Sequence, residues 1–217
     1  MPRNNLRPGS GGGRVAGSES HLSNKVHMAD DFDRIVGALD RFDESRLLAV
    51  CYFCVGAVSP VVHKWGARET TAAFDEIVDI FGVGDEKILN ENYLAKLESL
   101  PESEQDDSHK PAYYVMRAIG VASYCVGASS DRTRLDRTKS ACVSVFNLAR
   151  DFDFECKDDC DAAVVTACCT LELDAVVKLL SGSMDDSQAR RLARNHSNAL
   201  AKAFDDALPG VVRNHNW

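Results

Sequence analysis

Helical periodicity runs through almost the whole chain and constrains the fold more than any other feature of the sequence. Apolar residues recur at i, i+3, i+4 and i+7, as in Phe32, Ile35, Val36 and Leu39, and this spacing places them on one face of an α-helix. No alternating pattern of useful length predicts a β-strand, and no segment is repeated. We therefore expect an all-α protein, a single-domain bundle of about seven to eight helices that spans residues 29–217.

Capping residues, glycine and proline set the expected helix boundaries. Aspartates that directly precede apolar helical patterns are predicted N-caps. They are Asp43, Asp85, Asp131 and Asp185. Ser59-Pro60 predicts either a kink or a new helix start, Pro111 starts a helix, and Pro209-Gly210 ends the last one. Small side chains fill the helix of residues 112–128, which predicts a central position where neighbouring helices approach closely.

The first 28 residues differ from the rest of the chain. They hold a glycine-rich run and almost no large apolar side chains, so they cannot bury enough surface to offset the entropy lost on ordering. We expect a disordered tail over residues 1–28 without the apolar core of a secretory signal. It is either part of the natural protein or the product of an upstream start, with Met28 as the natural first residue. The longest uncharged run, Leu47 to Val62, is shorter than a membrane span and predicts a buried helix.

Acidic residues dominate the charge of the body. The formal charge is −8, but residues 1–28 carry +3, so residues 29–217 carry −11. Nucleic acids and anionic membranes are bound by clustered lysine and arginine, and an acidic body repels both. The charge therefore predicts a basic protein as partner, with neither a nucleic acid nor a membrane.

No arrangement of residues predicts catalysis or a cofactor. Cys51 and Cys54 have the C-x-x-C spacing, but no second pair completes a zinc site, so we expect buried thiols in a reducing cytosol. Asp151, Asp153 and Glu155 imitate the start of a calcium loop, but Cys156 occupies the position that requires glycine. We predict no catalytic residue, no cofactor and no metal ligand.

Two acidic segments are candidate partner-binding patches, and two aromatic residues are candidate anchors within such an interface. The first patch comprises Glu102, Glu104, Asp106 and Asp107. The second comprises Asp151, Asp153, Glu155, Asp158 and Asp159, and the anchors are Trp65 and Phe154. The alternative for either patch is an ordinary solvated surface.

One set of residues follows a recognisable layout: Arg46-Leu47-Leu48-Ala49-x-Cys51, Pro60, Trp65, Ala72-Ala73, the small-residue helix 112–128 and Glu172. This layout resembles the all-helical immunity-protein families of bacterial polymorphic toxin systems. The same layout is similar to a family of uncharacterised bacterial helical proteins. The sequence departs from the pattern at Gly56-Ala57, where a charged pair is expected, and in the more acidic loop 100–110. The resemblance implies a cytoplasmic protein, monomer or dimer, that neutralises a cognate toxin by direct binding.

Two other classes of function compete with this one. A structural or regulatory module would self-associate through the small-residue helix 112–128. A small helical metal-binding enzyme would bring carboxylates and histidines together in the core, but no Glu-x-x-His motif is present.

Overall fold

The computed structural model describes residues 29–130, 133–156 and 164–217, and helices form most of them. Helix α1 covers residues 29–37 and continues into the 3-10 turn Ala38–Arg41. The chain then forms α2 (Glu44–Ala57), α3 (Ser59–Trp65), α4 (Arg68–Val83), the 3-10 turn Glu86–Ile88, α5 (Glu91–Glu98), α6 (Pro111–Ser130), α7 (Arg134–Glu155), α8 (Val164–Leu180) and α9 (Asp186–His215). The described ranges contain no strand, and the predicted all-helical, single-domain fold is confirmed. The tail predicted over residues 1–28 lies outside the described residues.

Helix α2 is the centre of the bundle. Nearly every residue from Leu47 to Val58 is buried, and the helix packs against α4, α6, α7 and α9. The stretch Glu44–Trp65 has the length and mean hydropathy, 1.7, of a membrane span, but 72% of its most apolar window is buried among the other helices. Its apolar residues are therefore used inside the bundle, as predicted for the uncharged run.

Most predicted helix boundaries agree with the structure. Asp43 accepts a hydrogen bond from the Arg46 amide, and Asp185 forms a capping box with Gln188. Gly84 ends α4 in the left-handed conformation, with φ 83°. Ser59-Pro60 starts a new helix rather than bending α2. Helix α6 is central, as expected, and packs against α2, α3, α5 and α7.

Two boundaries differ from the prediction. Asp85 forms no side-chain cap, and a short 3-10 turn follows it, so that Asn90 caps α5 instead. Pro209 does not end α9, which continues to His215. Proline has no N–H, so Pro209 cannot donate the helical hydrogen bond to the Asp205 carbonyl. Both residues are exposed, and water can hydrate that carbonyl instead. The predicted cap Asp131 lies outside the described residues.

Candidate functional site

Negative charge is concentrated in one part of the fold, residues 68–107, which we call the acidic layer. It comprises α4, the 3-10 turn, α5 and the loop that follows, and contains twelve Asp and Glu against three Lys and Arg, a net charge of −9. By contrast, residues 108–217 contain fourteen acidic and fourteen basic residues and are neutral overall. Most of the net negative charge of residues 29–217 therefore comes from residues 68–107.

Most carboxylates of the acidic layer face solvent. The exposed ones are Glu69, Asp75, Glu76, Asp79, Asp85, Glu91, Glu98, Glu104 and Asp106. Contacts between α4 and α5 hold the layer together, since Glu76 accepts hydrogen bonds from Lys96 Nζ at 2.6 Å and from the Tyr93 hydroxyl at 2.8 Å. These two hydrogen bonds, the one from Lys96 first, lower the pKa of Glu76. The layer packs on α2, α3 and α6.

The first predicted patch lies in this layer, with one correction. Glu102 is 6% exposed, and its carboxylate accepts hydrogen bonds from the Ala67 amide at 2.6 Å and the Thr70 hydroxyl at 2.5 Å. Ala67, the residue before α4, has no capping side chain, and Glu102 instead satisfies its amide and the Thr70 hydroxyl in the first turn. It therefore stabilises α4 and cannot belong to an exposed docking patch.

The other residues of the first patch remain at the surface. Glu104 and Asp106 are exposed, while Asp107 is half-buried and accepts a hydrogen bond from the His109 amide at 3.0 Å. That hydrogen bond, together with a contact to Lys110, lowers the pKa of Asp107, which stays ionised in mildly acidic solution. This part of the predicted patch forms the loop edge of the acidic layer.

The second predicted patch is divided among different roles. Asp153 accepts hydrogen bonds from the amides of Val165 and Thr166, at 2.9 and 2.8 Å, and so caps the first turn of α8. Phe154 is 62% exposed on the outer face of α7. Asp158 and Asp159 lie outside the described residues. Asp153 therefore acts as a helix cap, unlike the exposed carboxylates of residues 68–107.

Trp65 lies in a group of packed rings that we call the aromatic cluster. Its ring centroid is 5.5 Å from that of Tyr114, 6.1 Å from Phe152 and 5.4 Å from Trp217. Trp217 Nε1 donates a hydrogen bond to the His109 carbonyl at 3.0 Å, which joins the cluster to the loop beside the acidic layer. Because Trp65 is half-buried, a partner could contact only part of its ring. Sequence reasoning missed Tyr114 and Trp217 because they come from distant segments.

Asp151 and Glu155 lie beside this cluster, with His215 from the end of α9. Glu155 Oε2 accepts a hydrogen bond from Asn214 Nδ2 at 2.7 Å and lies 3.0 Å from His215 Nε2. Asp151 Oδ2 and His215 Nε2 are buried and form no well-aligned hydrogen bond among the described residues, although His215 Nε2 lies within ion-pair distance of Glu155 and Asp151 Oδ2 within ion-pair distance of Arg117. Burial raises the pKa of Asp151, while the Arg117 guanidinium, 3.3 Å away, acts in the opposite direction.

Asp151→Asn is expected to make the protein more stable at pH 7, by no more than about 1 kcal/mol. A carboxyl whose pKa is raised by folding stabilises the folded state when protonated, and this stabilisation is lost as the pH rises through the folded pKa. The difference in the free energy of unfolding between Asp151→Asn and the wild type should therefore shrink as the pH falls towards 4. Urea denaturation of both proteins between pH 4 and 7 measures this difference. Asp153→Asn, which weakens the α8 cap, should lose stability, and an Asp151→Asn variant that is less stable at pH 7 contradicts the prediction.

Within the described parts of the chain, no three His, Cys, Asp or Glu side chains are grouped as possible ligands of one metal ion. Asp151, Asp153 and Glu155 belong to the helix α7, whose backbone does not form the loop that a calcium site requires.

No protein-family model, no curated protein and no solved structure matches the chain. The net charge of each segment of the sequence would have identified residues 68–107 as the most acidic part of the chain.

Proposed function

We propose that this protein binds a basic protein partner through the acidic layer. The observation that supports the proposal is the concentration of a net charge of −9 within residues 68–107, beside a half of the chain that is neutral. A surface of one sign attracts a partner of the opposite sign over a Debye length of about 8 Å and raises the association rate at low salt. The same surface disfavours nucleic acids and anionic membranes as partners.

The most concrete form of this function is that of a cytoplasmic bacterial immunity protein that neutralises a cognate toxin. Many toxins of this kind are basic nucleases, and exposed carboxylates can occupy the positions that such an active site offers to phosphates. Fast association is an advantage for an inhibitor that must act before its target does, and electrostatic attraction provides it. The resemblance carried by Arg46 to Cys51, Pro60 and Trp65 supports this form of the proposal.

Two variants of equal net charge separate the acidic layer from the charge of the whole molecule. The first reverses four exposed carboxylates of the layer, Glu91, Glu98, Glu104 and Asp106, to lysine. The control reverses four exposed carboxylates elsewhere, Asp30, Asp33, Asp136 and Asp205. Each is used as bait, with the wild type, in lysates of the source cells. We expect a basic partner that the wild type and the control retain and the first variant loses.

The recovered partner then permits a kinetic test. At about 50 mM salt the first variant should associate at least tenfold more slowly than the control, and the difference should narrow at higher salt. Equal association rates for the two variants, or an acidic partner, contradict docking through the acidic layer.

A growth assay tests the immunity form separately. We expect the partner, expressed alone, to stop cell growth, the wild type and the control to restore it, and the layer variant to fail. A harmless partner that still requires the acidic layer removes the immunity form and leaves the docking function in place.

A second candidate function is that of a self-associating helical module. Exposed apolar side chains on α7 and α8 favour it, since Phe154 is 62%, Val164 53% and Leu171 66% exposed. The small residues Ala118 and Ala122 of α6 give no support to self-association, because both are fully buried within one chain. Light scattering distinguishes the candidates: self-association predicts a dimer that Leu171→Glu disrupts, and a monomer at high concentration contradicts it.

A further inference from the structure

Five cysteine side chains from four helices meet in the centre of the bundle. Cys51 and Cys54 belong to α2, Cys125 to α6, Cys142 to α7 and Cys169 to α8, and each is at most 1% exposed. Cys125 Sγ donates to the Cys51 carbonyl at 3.4 Å, and Cys54 Sγ contacts Cys142 Sγ at 3.8 Å. All five are free thiols in the structure.

The Sγ atoms of Cys54 and Cys142 lie 3.8 Å apart, so a small movement brings them to the length of an S–S bond. The two residues are 88 positions apart in the sequence, on helices α2 and α7 that pack directly against each other. A disulfide has an S–S length of about 2.05 Å, so each sulfur must move by less than about 1 Å. A neutral disulfide also suits an apolar interior better than a charged group.

We propose that Cys54 and Cys142 are a modification site, at which a small neutral peroxide converts the two thiols into a disulfide between α2 and α7. The peroxide first oxidises one thiol to a sulfenic acid and is reduced to water, since its O–O bond accepts the two electrons. The second sulfur then attacks the sulfenic sulfur, the S–S bond forms, and the hydroxyl group leaves as water with the proton of the second thiol. Two thiols and one hydrogen peroxide thus give one disulfide and two water molecules.

The reaction is slow in the folded protein. Hydrogen bonding to Cys142 and burial raise the pKa of Cys54 well above its ordinary value, so little thiolate is present. The oxidant must also enter an interior that excludes water, which favours a small uncharged molecule and requires local opening of the bundle.

The disulfide is expected to make unfolding harder. It closes a loop of 88 residues and so restricts the unfolded chain, and this loop is long enough for a large effect. We expect oxidation to raise the midpoint of thermal unfolding by about 5–10 °C.

The test compares the protein after incubation with hydrogen peroxide and after reduction. Non-reducing peptide mapping by mass spectrometry identifies linked cysteines, and thermal unfolding measures the shift. The wild type and Cys51→Ala, a control from the same group of thiols, should show the link between Cys54 and Cys142. Cys54→Ala and Cys142→Ala should show neither the link nor the shift.

Mapping of the wild type decides the proposal even where an alanine variant fails to fold. A link between Cys51 and Cys125 in its place, or conversion of Cys54 to its sulfonic acid without a link, overturns the proposal. Thiols that all remain free after prolonged oxidation overturn it as well.

Discussion

Phe152→Ala is expected to lower the free energy of unfolding by about 3–5 kcal/mol. The ring is fully buried, and its centroid lies 5.1 Å from that of Phe204 and 5.4 Å from that of Tyr114. Alanine would remove this burial and leave a cavity where α6, α7 and α9 meet. Urea denaturation followed by circular dichroism measures the loss. Both tryptophans of the chain, Trp65 and Trp217, lie in the aromatic cluster, so their fluorescence should change in the same variant.

Phe154→Ala is the matched control. It removes the same side chain two residues later in the same helix, where the ring is 62% exposed. Its stability should stay within about 0.5 kcal/mol of the wild type. A Phe152→Ala variant as stable as Phe154→Ala would show that the ring of Phe152 is not part of the core.

The sequence alone predicts the helices and the class of fold because apolar periodicity is a local property. Phe32, Ile35, Val36 and Leu39 define a helical face whatever the rest of the chain does. The same holds for Asp43 and Asp185, whose N-cap positions depend on residues three positions away. Pro209 is an exception, because the exposure of its surroundings decides whether a helix tolerates it.

The candidate site was predicted only in part, because the role of a carboxylate depends on distant contacts. Glu102 and Glu104 look equivalent in the sequence, yet Glu102 meets the start of α4, 35 residues earlier, while Glu104 faces solvent. Asp153 similarly caps a helix that begins eleven residues later. The aromatic cluster joins segments of the chain that no local pattern connects.

Glu102→Ala should lower the free energy of unfolding by about 2–4 kcal/mol, because both of its hydrogen bonds join a charged acceptor to a partner near the start of α4. The variant leaves the Ala67 amide and the Thr70 hydroxyl without their acceptor, and Thr70 is fully buried. Since Ala67 follows Trp65 by two residues, tryptophan fluorescence should also report the change. Glu102→Gln, which keeps one carbonyl acceptor, should lose less stability than alanine.

Glu104→Ala separates this structural role from the loss of charge. It removes the same charge from the same loop, at an exposed position, and should change the free energy of unfolding by less than about 0.5 kcal/mol. Both variants should weaken binding to a basic partner, but for different reasons. Glu104→Ala weakens electrostatic attraction in a folded protein, whereas Glu102→Ala loosens the attachment of α4, and with it the acidic layer. Equal stability of the two variants would contradict the stabilising role of Glu102 at the start of α4.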